Sequence, residues 1–250
     1  MTTGPARRRP PEGTLPPVQY FMLNKPPKTI CARRDFAERS TVYDHIPAWY
    51  PDLPHVGRLD WATEGLLLFT DDGRLAQGIL NSGFKGEADA TEVPPLHKVY
   101  LVKVRDRLDP EDPRISLLSE PLSYPGGVLT RPAAVRFLEH RTRATWLEVR
   151  IDEGRHHQVR HLCARSGFPI LKLRRVRIGP IELGELKLRW CRPLTEGEVA
   201  ALYAVALPAD PRPPFEAIVR PVDPRPPDAP PPDPSGPDPS QPDALRPDPS

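Results

Sequence analysis

From Arg220 onward the chain advances in steps of five, RPVDP, RPPDA, PPPDP, SGPDP, SQPDA, LRPDP, with one aspartate in each step from Asp223 to Asp248. Such a segment cannot build a core. Proline removes a backbone donor and fixes φ, and the sparse apolar groups do not offset the entropy of ordering the chain. It reads as a solvated acidic tail of polyproline II character. The 37 prolines of the 250 residues crowd both ends, with GPARRRPPEGTLPP near the start. The expected organisation is a disordered Pro/Arg-rich arm over 1–17, a folded domain over 18–207 and a disordered Pro/Asp-rich tail over 208–250. The middle region is long enough to bury a core of its own.

The tail hides the charge of that domain. Residues 208–250 hold eight acids and four arginines, a net of −4, so the formal +2 of the whole chain leaves +6 on residues 1–207. A positive excess suits a nucleic-acid partner without demanding one. Cys31, Cys163 and Cys191 lie far apart with no CxxC pair, which argues against a zinc knuckle or a disulfide framework and for a reducing compartment. No apolar run follows the first arginines and none reaches the length of a membrane span. A soluble, cytoplasmic, monomeric protein with no membrane partner is expected.

Within the domain the hydrophobic period alternates between two and about 3.6. VQYFMLNKPP reads as a strand stopped by Pro26-Pro27, and GLLLFTDDG as a short apolar strand closed by a turn at Asp71-Asp72-Gly73. KVYLVKVRD alternates, with Tyr100, Val102 and Val104 on one face, and TWLEVRIDEG turns Leu147, Val149 and Ile151 inward. RHHQVRHLCARSG places Val159, Leu162 and Cys163 at helical spacing before Gly167 and Pro169. RRVRIGPIEL and LKLRW return to strand patterns, and Thr195 with Glu198 forms a capping box opening a last helix. Strands mostly joined by loops, with few helices, imply an α+β domain around a largely antiparallel mixed sheet flanked by helices and loops.

Four pieces carry the chemistry: NKPP at 24–27, GRLD at 57–60, KVY at 98–100, and EGRHHQVRHL at 153–162 followed by FPILKLRRVRIG. In this order and at these separations they resemble the pseudouridine synthases of the RsuA/RluB/RluE/RluF type over nearly all of residues 18–207. GRLD alone is four residues that recur by chance; the combination is specific. The resemblance implies the pseudouridine synthase fold and an isomerase that detaches uracil from ribose, rotates it and rejoins it through carbon 5, with no cofactor and no metal. Uracil leaves as a delocalised anion that remains in the pocket, so one ionised aspartate suffices, as nucleophile toward the sugar or as base toward a ribose proton. Asp60 matches that position. Arg160 of HQVR matches the arginine that keeps it ionised, and Tyr100 the ring that stacks on the base and helps remove the carbon 5 proton. Without the flanking motif, Arg160 reads as an ordinary exposed helix arginine and Tyr100 as a core tyrosine.

Arg58 matches the residue that fills the gap left by the flipped nucleotide, a task suited to a planar guanidinium. Lys98 reads either as an RNA-backbone contact or as a solvated lysine, Arg155 is placed with the RNA-binding residues, Asn24 and Lys25 with the pocket floor, and Ile170 and Leu171 with the apolar wall of the uracil pocket. Arg165, Lys172, Arg174, Arg175 and Arg177 form a basic stripe, read either as phosphate contacts or as a solvated edge strand. His157 and His161 are four apart on a helix, yet no glutamate stands beside the first as in HExxH, so a metal site has little support. The sequence departs from the family at Pro27-Lys28-Thr29, His161 and Arg189. Only about seventeen residues precede the NKP strand, where many relatives carry an S4 RNA-binding module. That is most like the RluE branch and makes 23S rRNA the expected partner, with 16S rRNA or tRNA behind it. A non-catalytic rRNA-binding or assembly factor is the competing reading.

Overall fold

A computed structural model of the chain describes residues 19–48, 50–82 and 96–208. The expected Pro/Arg arm and nearly all of the Pro/Asp tail lie outside the described residues. In chain order the elements are β1 (Tyr20–Lys25), a short 3-10 turn (Val42–His45), β2 (His55–Val56), β3 (Glu64–Thr70), α1 (Gly73–Asn81), β4 (Lys98–Val104), α2 (Pro113–Ser119), β5 (Ser123–Tyr124), β6 (Val128–Leu129), β7 (Ala134–Arg141), β8 (Ala144–Ile151), α3 (Gln158–Arg165), β9 (Ile170–Ile178), β10 (Ile181–Glu182), β11 (Cys191–Pro193) and α4 (Glu196–Ala206). The main sheet runs in the order β11-β1-β3-β9-β4-β8-β7, with β2 beside β3 and β10 beside β9. β3 pairs with β9 in parallel; the other ladders described are antiparallel. This is the α+β mixed sheet that the patterning implies.

β1 and β3 are buried along their whole length because both faces of this end of the sheet are covered, which is why they read as continuous apolar runs. Tyr20, Met22, Leu66 and Leu68 pack with Leu75 and Ile79 of α1 and with Leu202 and Tyr203 of α4. Phe21, Leu23, Leu67 and Phe69 pack on the other side with Val42, Tyr50 and Leu53. At the far end, Val102, Val104, Leu147 and Val149 receive Leu118 of α2 and Val159, Leu162 and Cys163 of α3. α3 thus packs with the apolar stripe expected of it, beside the β4 strand that carries Lys98 and Tyr100.

Two helices escaped the periodicity. Asp72 does not close a hairpin; its side chain accepts from Leu75 N and caps α1. It also accepts from Tyr20 Oη at 3.0 Å and from Tyr203 Oη. α2 opens with Asp112 as cap and Pro113 in its first turn, a start signal short enough to pass for a loop. LKLRW is a turn rather than a strand: Arg189 sits at φ +71 and its backbone N–H donates to Asn24 O at 2.8 Å. The basic stripe is not an edge strand, because β9 lies between β3 and β4 in the sheet interior. A register shift opposite Val99 and Tyr100 pairs Tyr100 with Arg175 but Val99 with Arg177. Val176 is the extra residue, so Arg175 faces inward at 4% exposure while Arg177 faces out.

The parallel seam is held by a close approach that only glycine permits. Gly65 has φ +108, and a Cβ there would lie 2.1 Å from the carbonyl oxygen of Arg175. Gly65→Ala should therefore lower the unfolding free energy by more than about 2 kcal/mol, since backbone strain and a backbone clash act together. Urea denaturation of the two proteins measures it.

Candidate active site

Asp60 stands in the loop between β2 and β3, and each end of that loop is tied down. Leu59 N donates to Cys31 Sγ at 3.3 Å and Leu59 is buried. Thr63 N donates to Asp60 O at 3.0 Å, closing a turn just before β3. Lys25, fully buried at the end of β1, donates from Nζ to Pro26 O at 2.9 Å and to Thr63 O at 2.8 Å. Asn24 Nδ2 donates to Leu186 O at 2.7 Å. The NKP strand end thus braces the Asp60 loop from behind, and neither Asn24 nor Lys25 lines the cleft. Burial lowers the Lys25 ammonium pKa to about 8.

The partner of Asp60 comes from 100 residues away. Arg160 Nε donates to Asp60 Oδ2 at 2.8 Å and its Nη2 donates to Thr63 Oγ1 at 2.9 Å, so one guanidinium fixes both the carboxylate and the turn beneath it. His157 Nε2 lies 3.3 Å from the other carboxylate oxygen, and its ring stacks on His156 with centroids 3.7 Å apart. The side chains of Asp60 and Arg160 are 30% and 28% exposed, so the pair is partly shielded yet open to a ligand.

The EGRxxQVR segment positions that arginine. Glu153, 2% exposed, accepts from Arg131 N at 2.9 Å, Gln158 Nε2 at 3.0 Å and Arg155 Nε at 3.2 Å. Gln158 Oε1 accepts from Arg155 N at 3.1 Å, and His157 takes the left-handed conformation, φ 54, just ahead of α3. A buried carboxylate and a buried amide therefore fix where the helix begins, and Arg160 follows on its first turn.

These residues enclose a cleft of about 120 Å³ lined by Asp60, Arg160, Tyr100, Arg58, Lys98 and Arg155, with Ile151, Val159, Leu173 and Ile178 as apolar surface. Of the residues singled out in the sequence, Asp60, Tyr100, Arg160, Arg58, Lys98 and Arg155 meet here. Ile170 packs behind the cleft in the core and Leu171 is 45% exposed, so Leu173, two residues on, supplies the apolar wall. Lys98 is not solvated: it is 8% exposed, and burial first, then the neighbouring Arg175 charge, lower its pKa to about 8.

A carboxylate clasped by a helix arginine, beside a tyrosine in a cleft sized for a single base, is the arrangement expected for uridine isomerisation. The RNA pseudouridylate synthase family matches residues 19–165. The chain belongs to this family of isomerases. It is 36% identical over 184 residues to a ribosomal large subunit pseudouridine synthase E from Xanthomonas campestris, covering 66% of this chain and 90% of that protein. It is 34% identical over 194 residues to ribosomal small subunit pseudouridine synthase A of Escherichia coli, covering 74% of each chain. A crystal structure of a pseudouridylate synthase aligns with a TM-score of 0.58 at 32% identity, again over 74% of each chain. No helix among the described residues is long and apolar enough to cross a membrane.

Two residues of the synthase cleft carried no clear signal in the sequence. His157 occupies a variable place inside EGRxxQVR, and Arg175 is one arginine among five in a basic stripe; only the sheet register separates it from the others.

Replacing Arg160 with methionine leaves Asp60 without its guanidinium, and turnover on RNA is expected to fall at least about a hundredfold, as when a preorganised donor is removed; steady-state kinetics test this. Lys98 bears on stability. Its folded-state pKa lies below the ordinary 10.5, so the folded state resists the proton that the unfolded chain accepts, and this destabilisation is complete below about pH 8 and gone by about pH 10.5. Lys98→Met should be the more stable protein at pH 7, by about 2–3 kcal/mol, and should lose that advantage by pH 10.5. Denaturation midpoints across that range provide the check.

Proposed function

We propose that this protein converts a uridine of ribosomal RNA to pseudouridine, with 23S rRNA as the first candidate, acting as a monomer in the cytoplasm through Asp60. The observation that carries the reading is the Asp60 carboxylate, in a cleft sized for a single base, with Arg160 Nε at 2.8 Å. A binding factor would gain nothing from a carboxylate that repels phosphate.

The reaction is balanced within one nucleotide. Asp60 either attacks the ribose at C1′ or removes a sugar proton, and on both routes the N1–C1′ bond breaks with its electron pair staying on uracil. The uracil anion turns in the cleft, and a pair from C5 forms the new bond to C1′; on the first route the Asp60–C1′ bond breaks as this happens and its pair returns to the carboxylate, and on the second Asp60 gives the proton back to the sugar carbon it came from. C5 then gives up its proton, with Tyr100 placed to assist, and N1 acquires one. No external acid, cofactor or metal enters this balance, unlike glycoside hydrolysis with its second carboxylate. Arg58, at the cleft mouth, is suited to the space vacated by the flipped nucleotide. Support for the large-subunit target comes from the relative named for it, of which the alignment covers 90%, against 74% for the small-subunit enzyme. The free thiols of Cys31, Cys163 and Cys191 accord with a reducing compartment.

The test is to map pseudouridines in 23S and 16S rRNA from cells with and without the gene, and to measure tritium release from carbon-5-labelled uridine RNA with the purified chain. One site, lost in the deletion and restored by the wild type but not by Asp60→Asn, is the expected result. Equal tritium release by wild type and Asp60→Asn removes the assignment.

A further inference from the structure

Two buried cations that line the cleft with Asp60, Arg175 and Lys98, keep donors without a hydrogen-bond partner among the described residues. Arg175 is 4% exposed and donates from Nε to Leu66 O at 2.9 Å, but its buried Nη2 has no hydrogen-bond partner. Lys98, 8% exposed, has no hydrogen-bond or ion-pair partner among the described residues. Both side chains line the cleft. The neighbouring carboxylate, Glu153, is already taken up by Arg131 N, Gln158 and Arg155. Arg160, another guanidinium of the cleft, is spent on Asp60 and Thr63.

The sheet register places these cations beside Tyr100. Arg175 is the direct cross-strand partner of Tyr100, and Lys98 lies two residues before Tyr100, on the same face of β4. The bulge at Val176 turns Arg175 inward while Arg177 remains outside. Gly154 runs alongside, with its Cβ position 3.6 Å from Lys98 Nζ. A buried donor without an acceptor destabilises a fold, and so does a buried ammonium whose neighbouring carboxylates, Glu153 and Asp152, are engaged by other groups and make no ion pair with it. Two of them side by side, aimed into a cleft, call for an anionic ligand.

We infer that Lys98 and Arg175 form an anion site that stabilises the expelled uracil through its carbonyl oxygens while it turns. This rests on the isomerase reading and adds to it the groups that take up the charge of the leaving base. When the N1–C1′ bond breaks, the negative charge spreads over N1, O2 and O4. The charge is the same whether Asp60 serves as nucleophile or as base. Fixed cations in a water-poor cleft meet it without reorganisation, and because uridine is neutral they act on the transition state more than on the bound substrate. A phosphate oxygen of the RNA has the same charge and is the other source of anion that the site could hold.

The experiment compares wild type, Lys98→Met and Arg175→Gln on the mapped RNA. It measures single-turnover rate at saturating enzyme, RNA Kd across salt concentrations, and breakage of the N1–C1′ bond in the same RNA carrying 5-fluorouridine, whose base is the better leaving group. The expected result is a rate about 10²–10³-fold lower, a Kd within twofold of wild type with an unaltered salt slope, and a defect at least about tenfold smaller with 5-fluorouridine. Weaker binding with a salt slope reduced by about one and an unchanged saturated rate would assign the cations to phosphate and overturn the inference. So would Lys98→Met at full rate. Lys98 forms no structural hydrogen bond among the described residues, so Lys98→Met decides the matter even if Arg175→Gln, which loses the tie to Leu66 O, does not fold. A wild type that makes no pseudouridine in any rRNA fails at the isomerase reading itself, which separates that failure from this one.

Discussion

The parallel contact between β3 and β9 holds the two halves of this molecule together. Gly65 brings the strands close enough that a side chain would strike the Arg175 carbonyl, and Arg175 in turn ties its Nε to Leu66 O on β3. On one side of this seam lie the cores built on β1 and β3; on the other lies the core built on β4 and β8. The Asp60 loop enters β3 directly, and β9 places Arg175 opposite Tyr100. The active site is therefore a property of the seam: without the close approach, the carboxylate and the groups that would handle the base belong to separate halves.

Polar groups at this seam are disposed at some expense of stability. Lys25 and Lys98 are buried ammoniums whose desolvation lowers their pKa to about 8. For Lys25 the reason is structural, since its two carbonyl partners lock the Asp60 loop. Lys98 and the Arg175 Nη2 have no hydrogen-bond partner among the described residues, and a chain selected for stability alone would place apolar groups there. The contrast within one cleft, where Arg160 and Glu153 are fully engaged and Lys98 and Arg175 are not, separates groups that build the site from groups held ready for a ligand.

Much of the site was legible because its residues sit in short contiguous motifs. Asp60, Arg58, Tyr100, Lys98, Arg155 and Arg160 all reach the cleft, and the capping box at Thr195 and the apolar stripe of α3 appear where the pattern put them. The misreadings have physical causes. α1 and α2 are short, and an aspartate cap looks like a turn when only about two helical turns follow. LKLRW alternates like a strand, but its chain turns at Arg189. Leu171 reads as pocket wall although Leu173 lines the cleft, and the arginines of the stripe read alike, because register shifts at Leu171 and at Val176 interrupt the alternation and leave no trace in composition.

What the amino-acid sequence determined by itself was local: the elements whose hydrophobic period is sustained, the order of the motifs, and the family to which the chain belongs. Tertiary structure alone decided which charges face the cleft. Arg174, Arg175 and Arg177 are chemically alike and nearly adjacent in the chain, yet burial, register and one bulge give each a different environment. Charge type is written in the residue, whereas the dielectric around it and the presence or absence of a counter-charge depend on strands that meet only after folding.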